Sequence, residues 1–335
     1  MKNSRIHGGP DAKGVPLYDF STNSNACGPC PAALFAVNAA DPSTYPDASY
    51  TELREQLAAF HQVDAARIVL AACASEFIFR ITAMVARRGG QRVALPKHSY
   101  GDYAHAAAAY GMVAVAQPQD AELYWACEPS SPLGQAHLDW TGNSDAVRVL
   151  DRAYQPLRLS GVFTQSEKLH QLWQLHSPNK ALGLTGVRAA YAIAPVDAQA
   201  DVDAMNQLCP SWPVGAHGVA MLQAWVSPPA QSWLAASLHT LRDWKAQQLA
   251  LCKAMGWHCM PGDANFFCAM PTLPPSLSLP EALAQLREQG VKLRDAASFG
   301  LPGHVRLGVL APAAQDALAA EVRQLSGYFW PPAGI

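Results

Sequence analysis

Charge is scarce in this sequence: only 15% of the 335 residues are Asp, Glu, Lys or Arg, and the formal net charge is −2. A chain without an excess of basic residues is not expected to bind nucleic acid, and the sequence contains no block of acidic residues that would suggest a disordered tail. No run of about 18 apolar residues is present, so we expect no membrane span. The N-terminus lacks the apolar core of a signal peptide, which predicts a cytoplasmic protein.

The cysteines are scattered, and without a signal peptide we expect them to be reduced thiols. Cys27 and Cys30 form a C-x-x-C motif, but it follows the polar run 21–25 instead of a strand, and Pro31 comes directly after it. No second C-x-x-C is present to complete a zinc site. We therefore interpret the motif as coincidental and not redox-active, and we predict no metal site.

Strands and helices alternate between residues 67 and 194, which predicts an α/β fold with a mostly parallel sheet. The apolar spacing places strands at 67–70, 92–95, 113–116, 122–126, 147–150, 172–175 and 190–194, and helices at 50–62, 77–88 and 102–110.

The pattern changes after residue 197, where an α+β arrangement begins. The shift predicts a second, smaller domain from about residue 230 to the end, whereas residues 1–50 are rich in loops. We expect helices at 197–207, 214–226, 230–255, 280–289 and 313–326, and strands at 17–20, 265–270 and 305–309.

The stretch 177–191 carries the strongest chemical signal. Ser177 precedes Lys180 by three residues and Arg188 follows it by eight, while two glycines between them allow tight bends. This arrangement suits a lysine held as an imine beside an anion-binding corner. The alternative is an exposed loop that happens to contain one lysine and one arginine.

A turn of small residues at 71–76 joins a predicted strand to a predicted helix. Free backbone N–H groups and the helix dipole at such a turn can bind phosphate, with Ala74, Ser75 and Glu76 as the contacts. The alternative is an ordinary turn. Tyr100 follows another strand, where an aromatic ring can stack on a planar ligand; a tyrosine of the core or surface is the alternative.

Two charged residues stand in or next to apolar strands. Asp151 ends a buried strand and needs a partner there, which a protonated ring nitrogen would supply, and Tyr154 could reach the same ligand. A helix cap is the alternative for Asp151. Arg306 lies within an apolar strand of the smaller domain and suits a bidentate grip on a carboxylate; an internal salt bridge is the alternative.

Together these pieces match what pyridoxal 5′-phosphate with an amino-acid substrate requires. The S-x-x-K-x-x-G-L-x-G-x-R run, supported by D-x-A-Y, Y-x-x-Y and R-L-G in order, resembles the fold type I, aspartate-aminotransferase-like family over nearly the whole chain. The resemblance implies a large cofactor-binding domain at 31–229, with a mostly parallel sheet sandwiched by helices. It also implies a small α+β domain at 230–335 and an arm at 1–30 that packs on the active site.

The N-terminal segments indicate which branch of this family the chain resembles. His7-Gly8-Gly9, the run 19–25 and the run 45–50 look like the threonine-phosphate decarboxylase of cobalamin biosynthesis, and histidinol-phosphate aminotransferase is a related branch. By this resemblance, His7, Asn23 and Arg294 would lie near the phosphate or carboxylate of the substrate. Tyr45 would reach the cofactor phosphate of a neighbouring subunit, which implies a homodimer with shared active sites.

The chain departs from these relatives in two places. Relatives carry an N-P-N-N-P-T-G-like loop whose last Asn bonds the cofactor's ring oxygen, whereas residues 128–134 place Ser131 there. The ring-oxygen contact would then rest more on Tyr154. The segments 134–151 and 154–177 are also shorter than in relatives, so helices covering the sheet must be trimmed.

Three functions remain open from the sequence. The first is decarboxylation of an amino-acid phosphate such as threonine phosphate, and the second is transamination of histidinol phosphate or another amino acid. The third is cofactor binding with lost or altered catalysis, suggested by the changed 128–134 loop. Which bond at Cα stands perpendicular to the cofactor ring decides between the first two.

Overall fold

The computed structural model describes residues 7–137, 145–163 and 166–326. Its strands, in chain order, are β1 (Tyr18–Asp19), β2 (Ile68–Ala71), β3 (Arg92–Ala94), β4 (Val113–Val115), β5 (Leu123–Cys127), β6 (Val147–Asp151), β7 (Trp173–His176), β8 (Ala190–Ile193), β9 (His258–Cys259), β10 (Phe266–Met270), β11 (Val291–Lys292), β12 (Arg294–Asp295) and β13 (Val305–Gly308).

The α-helices of the described residues cover every predicted helix and add one in the N-terminal region. They are α1 (Pro31–Ala39), α2 (Thr51–His61), α3 (Ala74–Arg87), α4 (Gly101–Ala109), α5 (Gln199–Gln207), α6 (Ala216–Trp225), α7 (Pro228–Ala254), α8 (Leu279–Glu288) and α9 (Pro312–Ser326).

The central sheet has seven strands in the order β2-β8-β7-β6-β5-β3-β4. Only β8 runs antiparallel to its neighbours, β2 and β7. The remaining pairs are parallel, so the carboxyl ends of β2, β3, β6 and β7 lie along one edge. This confirms the prediction of an α/β fold with a mostly parallel sheet.

Helices cover both faces of this sheet because successive side chains of a strand point to opposite faces. On one face, Trp125 and Trp173 pack in a cluster with side chains of α3, α4 and α5. On the other, Leu70 and Tyr191 pack with side chains of α1, α2, α6 and α7. The expected sandwich of helices around the sheet is therefore confirmed.

A second, four-stranded antiparallel sheet forms near the C-terminus, in the order β12-β13-β10-β9. Its core includes Trp257, Leu286 and Leu318, which join it to α8 and α9. The long helix α7 contributes Leu241 to the core of the large sheet and Cys252 to this second core. Because α7 packs in the cores of both sheets, the structure does not separate two domains at residue 230, and the domain boundaries at 30 and 230 stay predictions.

The N-terminal segment also joins the C-terminal part, since β1 pairs in parallel with β11. Helix α1 lies where the sequence predicts loops. Its first residue is Pro31, a position where the missing N–H costs nothing, and it buries Ala33 and Val37. These small and weakly periodic apolar residues explain why the sequence pattern alone does not predict this helix.

The crossover from β6 to β7 contains two short 3₁₀-helices, Gln155–Leu157 and Ser166–Gln171, within the described residues. Part of the other shortened segment, 138–144, lies outside the described residues. No helix in the described part of the chain is long and apolar enough to cross a membrane. The cytoplasmic location stays a prediction from the sequence.

Candidate active site

One cavity of about 560 Å³ opens at the carboxyl edge of the central sheet, and all but two of the predicted site residues line it. Strand ends and the turns after them supply one wall, and the second sheet and the N-terminal segment supply the other. The predicted residues in the lining are His7, Asn23, Ala74, Ser75, Tyr100, Ser131, Asp151, Tyr154, Ser177, Lys180, Arg188, Arg294 and Arg306.

Asp151 is the last residue of β6 and is buried. Its Oδ2 accepts a hydrogen bond of 2.6 Å from the Tyr103 hydroxyl, and its Oδ1 accepts one of 2.9 Å from the Ala153 N–H. Burial raises the pKa of this carboxyl, and the two donors work against that effect. The described residues give Asp151 no ion pair, so a cation bound in the cavity would be its natural partner.

Lys180 projects into the cavity from the loop after β7, with its Nζ 5.5 Å from the centroid of the Tyr154 ring. The loop is fixed by its backbone, because the carbonyl of Lys180 accepts from the Asn25 N–H at 2.9 Å. Gly183 has φ +69°, and a Cβ there would lie 2.6 Å from the Gly28 carbonyl oxygen. A glycine is therefore required three residues after the lysine.

The C-x-x-C segment has a structural contact with this loop. The Cys30 N–H donates to the Leu182 carbonyl at 2.8 Å, and Gly28 lies against Gly183. Both cysteines are free thiols. Among the described residues, no group of three or more His, Cys, Asp or Glu side chains could hold a metal ion.

An anion-binding corner forms where α3 begins. The first amides of the helix, at Ala74 and Ser75, have no intrahelical acceptor and carry the positive end of the helix dipole. The Ser75 hydroxyl lies 3.2 Å from the Tyr100 hydroxyl. Ser177 and Arg188 line the same cavity, and the Ser177 hydroxyl donates to Asn179 Oδ1 at 3.0 Å.

Glu76 is one of the two predicted residues outside the lining. Its Oε1 lies 2.9 Å from Arg80 Nε, an ion pair one helical turn along α3, and its Oε2 accepts from the Ala72 N–H at 3.2 Å. The carboxylate therefore has protein partners within α3 and its leading turn. A contact of Glu76 with the cofactor stays a prediction.

Tyr45 is the other predicted residue outside the lining. Its side chain is 76% exposed and stacks on Trp212, with ring centroids 4.5 Å apart. An exposed aromatic ring on a surface turn is available to a second subunit, but the role in a neighbouring active site stays a prediction.

Tyr100 lies over the cavity at the start of α4, edge-on to Tyr103, with centroids 5.8 Å apart. Burial and the nearby carboxylate of Asp102 raise the pKa of Tyr100, so its hydroxyl remains protonated. Tyr103 is a site residue that the sequence analysis missed: it is fully buried, stacks on Trp125 and contacts Asp151. The only signal for it was the Y-x-x-Y spacing, one helical turn after Tyr100.

Arg294 and Arg306 form the opposite wall, and they are direct partners on β12 and β13. Both are buried. Arg306 Nη2 donates to the Ser21 carbonyl at 2.9 Å, whereas its Nε is buried without a partner among the described residues. The internal salt bridge considered for Arg306 is not formed with any described residue, which favours a ligand.

The N-terminal segment closes one side of the cavity. His7 lies 6.4 Å from the Tyr100 ring, centroid to centroid, and is exposed. Gly8 is required, because a Cβ there would lie 2.1 Å from the Ser21 carbonyl oxygen. Asn23 is buried, donates to the Tyr154 hydroxyl at 3.4 Å and has an Oδ1 without a partner among the described residues.

Ser131 is buried in the lining, in the loop where relatives are expected to carry Asn. The loop is anchored by a buried ion pair of 2.8 Å between Glu128 and Arg158, and Arg158 also lies 3.2 Å from Asp263. The serine position is therefore held firmly, although its side chain is shorter than asparagine.

This donor set fits pyridoxal phosphate. The buried Asp151 has no ion pair with any residue that the structure describes, the start of α3 offers amides for a phosphate, and Lys180 can attach to an aldehyde. Tyr100 offers a ring to stack on, and Asn23 and Arg306, each with a buried atom that has no partner among the described residues, line the cavity.

Comparison with known proteins gives the same fold and cofactor class. A family model described as aminotransferase class I and II matches residues 16–130 and 138–322. The histidinol-phosphate aminotransferase of Symbiobacterium thermophilum is 25% identical over 88% of this chain and 87% of its own length. That of Erythrobacter litoralis is 27% identical over 93% and 92%.

Solved structures agree on the fold. The L-threonine-O-3-phosphate decarboxylase of Porphyromonas gingivalis superposes with a TM-score of 0.75 at 21% identity, covering 91% of this chain and 98% of that one. A histidinol-phosphate aminotransferase from Sinorhizobium meliloti, solved with pyridoxal-5′-phosphate, gives 0.75 at 19% identity, with 91% and 89% covered. At these sequence identities the similarity establishes the shared fold only, and the substrate has to be inferred from the residues of the site.

Proposed function

This chain belongs to the aminotransferase class I and II family of pyridoxal-phosphate enzymes, and we propose that it decarboxylates an amino-acid phosphate, with O-phosphothreonine as the substrate. The observation that carries the proposal is the pair Arg294 and Arg306. Both are buried, stand opposite each other on adjacent strands and line the cavity that holds Lys180. Two guanidinium groups suit a substrate with two anionic groups, a carboxylate and a phosphate ester.

The N-terminal segment supports a phosphate ester in particular. His7 and Asn23 line the cavity together with the arginines, so one substrate can be contacted from both sides. The H-G-G opening that places His7 is the feature that resembles threonine-phosphate decarboxylases, and one such protein shares the fold. An amino acid without the phosphate would leave part of this polar wall unpaired, which is costly in a buried site.

The bound cofactor supplies an aldehyde that captures the substrate's amine and a ring that accepts the electron pair released at Cα. Lys180 would hold the cofactor and, once freed, can move a proton at the substrate's Cα. Asp151 would face the ring nitrogen as an anion and keep a proton there. Ser75, Ser177 and Arg188 would hold the phosphate.

Arg306 would grip the carboxylate of the substrate and set the angle of the bond between Cα and that carboxylate. Tyr154 and Ser131 are the candidates for the ring oxygen, and Asn23 contacts the Tyr154 hydroxyl. A homodimer in which Tyr45 completes the neighbouring site accompanies the proposal. Light scattering would test the dimer.

A second function is transamination of histidinol phosphate, which the similarity to two histidinol-phosphate aminotransferases favours. Histidinol phosphate carries a phosphate but no carboxylate, so it would use only one arginine at a time. The carboxylates of an amino donor such as glutamate would use the pair in the other half of the reaction.

One experiment separates the two. The holoenzyme is incubated with O-phosphothreonine, with threonine, and with histidinol phosphate plus 2-oxoglutarate, and both carbon dioxide and glutamate are measured. We expect carbon dioxide from O-phosphothreonine, with kcat/KM about 100-fold above that for threonine. Glutamate formed from histidinol phosphate without any carbon dioxide would establish the aminotransferase instead.

A matched pair of lysine variants tests the cofactor attachment. Lys180→Ala should lose the absorbance band of the bound cofactor and its fixation by borohydride. Lys253→Ala, at an exposed position near the end of α7, should keep both. Retention of a borohydride-fixed cofactor by Lys180→Ala would move the attachment to another lysine.

A further inference from the structure

Phe299 contacts both arginines of the cavity. Its ring centroid is 4.7 Å from Cζ of Arg294 and 5.4 Å from Cζ of Arg306. Phe299 is also one of the residues that line the cavity. One aromatic side chain therefore touches both cationic groups that face the substrate.

The two guanidinium groups need such a neighbour. Like charges directly opposite each other on paired strands repel, and Arg294 and Arg306 are both buried. Burial, and then the charge of Arg306, lower the pKa of Arg294 to about 10, so it remains charged near neutral pH. The negative face of an aromatic ring attracts cations and stabilises them without using their N–H donors.

A carboxylate in the same place would act differently. It would accept hydrogen bonds from the guanidinium groups and compete with an anionic substrate for those donors. The ring leaves the Nε of Arg306 without a partner among the described residues, although this atom is buried. Phe299 therefore stabilises Arg306 in the cavity wall without occupying its hydrogen-bond donors.

The turn that carries Phe299 is held by contacts on two sides. The Phe299 carbonyl accepts a hydrogen bond of 2.7 Å from Nδ1 of His98, two residues before Tyr100. The preceding Ser298 accepts from Arg294 Nη2 at 2.7 Å. Phe299 thus links the loop that carries Tyr100 to the strands that carry the arginines, so the spacing between cofactor and anion sites depends on it.

We propose that Phe299 is a specificity-determining residue, whose ring holds Arg294 and Arg306 as two separate anion sites and so selects substrates that carry both a carboxylate and a phosphate. The proposal rests on the proposed function for the identity of the substrate, but the selection of two anions over one does not depend on the reaction. It explains why the pair would favour a doubly anionic amino-acid phosphate over an amino acid with a single carboxylate.

Binding of unreactive anions tests this directly. 3-Phosphonopropionate carries a carboxylate and a phosphonate but no amine, and propionate carries the carboxylate alone. Calorimetry would measure both with the holoenzyme, its Phe299→Leu variant and its Phe299→Tyr variant. We expect Phe299→Leu to weaken 3-phosphonopropionate binding about tenfold and propionate much less, and Phe299→Tyr, which keeps the ring face, to stay within about twofold of the wild type.

Two further measurements separate this role from a loss of structure. Phe299→Leu should keep the melting temperature and cofactor affinity of the wild type, and with O-phosphothreonine its KM should rise while kcat changes little. Equal weakening of both anions, unchanged affinity for 3-phosphonopropionate, or a wild type that binds the two anions equally would each overturn the proposal. If the wild type does not turn over O-phosphothreonine, the proposed function fails, while the binding data still decide the role of Phe299.

Discussion

The Tyr103 hydroxyl donates a hydrogen bond of 2.6 Å to Oδ2 of Asp151, in a fully buried contact between α4 and the end of β6. Burial raises the pKa of Tyr103 far above the working range, so this group is always a donor. Asp151 thereby keeps one oxygen occupied by a neutral donor and stays oriented towards the cavity. In the proposed site, Tyr103 would act on the cofactor through Asp151, as a positioning residue.

Tyr103→Phe is expected to weaken cofactor binding. Removing the donor raises the pKa of Asp151 further, because this hydrogen bond is the largest influence that lowers it. The carboxylate then holds a protonated ring nitrogen less firmly, and we expect the dissociation constant of pyridoxal phosphate to rise about tenfold. Fluorescence titration of the apoenzyme measures this, with Tyr110→Phe, an exposed tyrosine after α4, as the control. Unchanged affinity in Tyr103→Phe would show that Ala153 orients Asp151 alone.

Asp151→Asn should make the apoenzyme more stable at neutral pH. The folded pKa of Asp151 lies above its ordinary value of 3.8 because of burial, so the folded state binds this proton more tightly than the unfolded state does. Its ionisation therefore lowers stability as pH rises from that value through the folded pKa, and the cost is complete above it. Asparagine removes this cost, because its amide can donate to Tyr103 and its oxygen can accept from Ala153.

We expect Asp151→Asn to raise the melting temperature of the apoenzyme by about 2 °C or more at pH 8, and the difference to shrink as the pH falls through the folded pKa of Asp151 towards 3.8. Calorimetry at several pH values measures it. In the holoenzyme the wild type should have the higher melting temperature, because the asparagine of the variant cannot form an ion pair with the protonated ring nitrogen of the cofactor. A variant less stable than the wild type at every pH would contradict the argument.

The sequence alone predicts those residues of the candidate site whose evidence lies within one short stretch of the chain. Lys180 is recognisable from its own loop, and Asp151 from a carboxylate at the end of an apolar strand. Phe299 and Tyr103 were not predicted as site residues, because their roles depend on contacts with residues far away in sequence, Arg306 at the cavity wall and Asp151 at the strand end.

Helix α1 shows what a local pattern cannot predict. It has too few large apolar residues to show a helical period, and its burial against α6 and α7 decides its structure. Tertiary contacts therefore override the local pattern there. Glu76 pairs with Arg80 one helical turn away, and its contact with the cofactor stays a prediction.

Arg158→Met is expected to destabilise the protein strongly. The Arg158 and Glu128 side chains form a buried pair with both partners less than a tenth exposed, and burial, together with the nearby charge of Asp263, raises the pKa of Glu128. Methionine leaves the Glu128 carboxylate buried without its partner, at a cost of about 3–5 kcal/mol in unfolding free energy. Denaturant unfolding measures this. The double variant with Glu128→Gln should recover at least half of the loss, and no recovery would show that Asp263 is the partner that matters.

Gly183→Ala is expected to disrupt the lysine loop, whereas Gly186→Ala is not. Gly183 has φ +69°, and an added Cβ would lie 2.6 Å from the Gly28 carbonyl oxygen, a backbone atom of the segment that Cys30 ties to Leu182. Gly186 has open space around the position where a Cβ would lie, and its φ is not in the left-handed region.

The Gly183→Ala substitution must therefore move the loop that carries Lys180, at a cost of about 1–3 kcal/mol for the backbone strain alone. Cofactor affinity should fall at least about tenfold in Gly183→Ala, and the unfolding free energy should fall by about the same 1–3 kcal/mol. Gly186→Ala should match the wild type in cofactor affinity, and its unfolding free energy should be higher by about 0.4–1 kcal/mol, because alanine at a compatible position restricts the unfolded chain. Equal effects of the two substitutions would mean that the loop tolerates displacement, and that Lys180 is not positioned by its contact with residues 28–30.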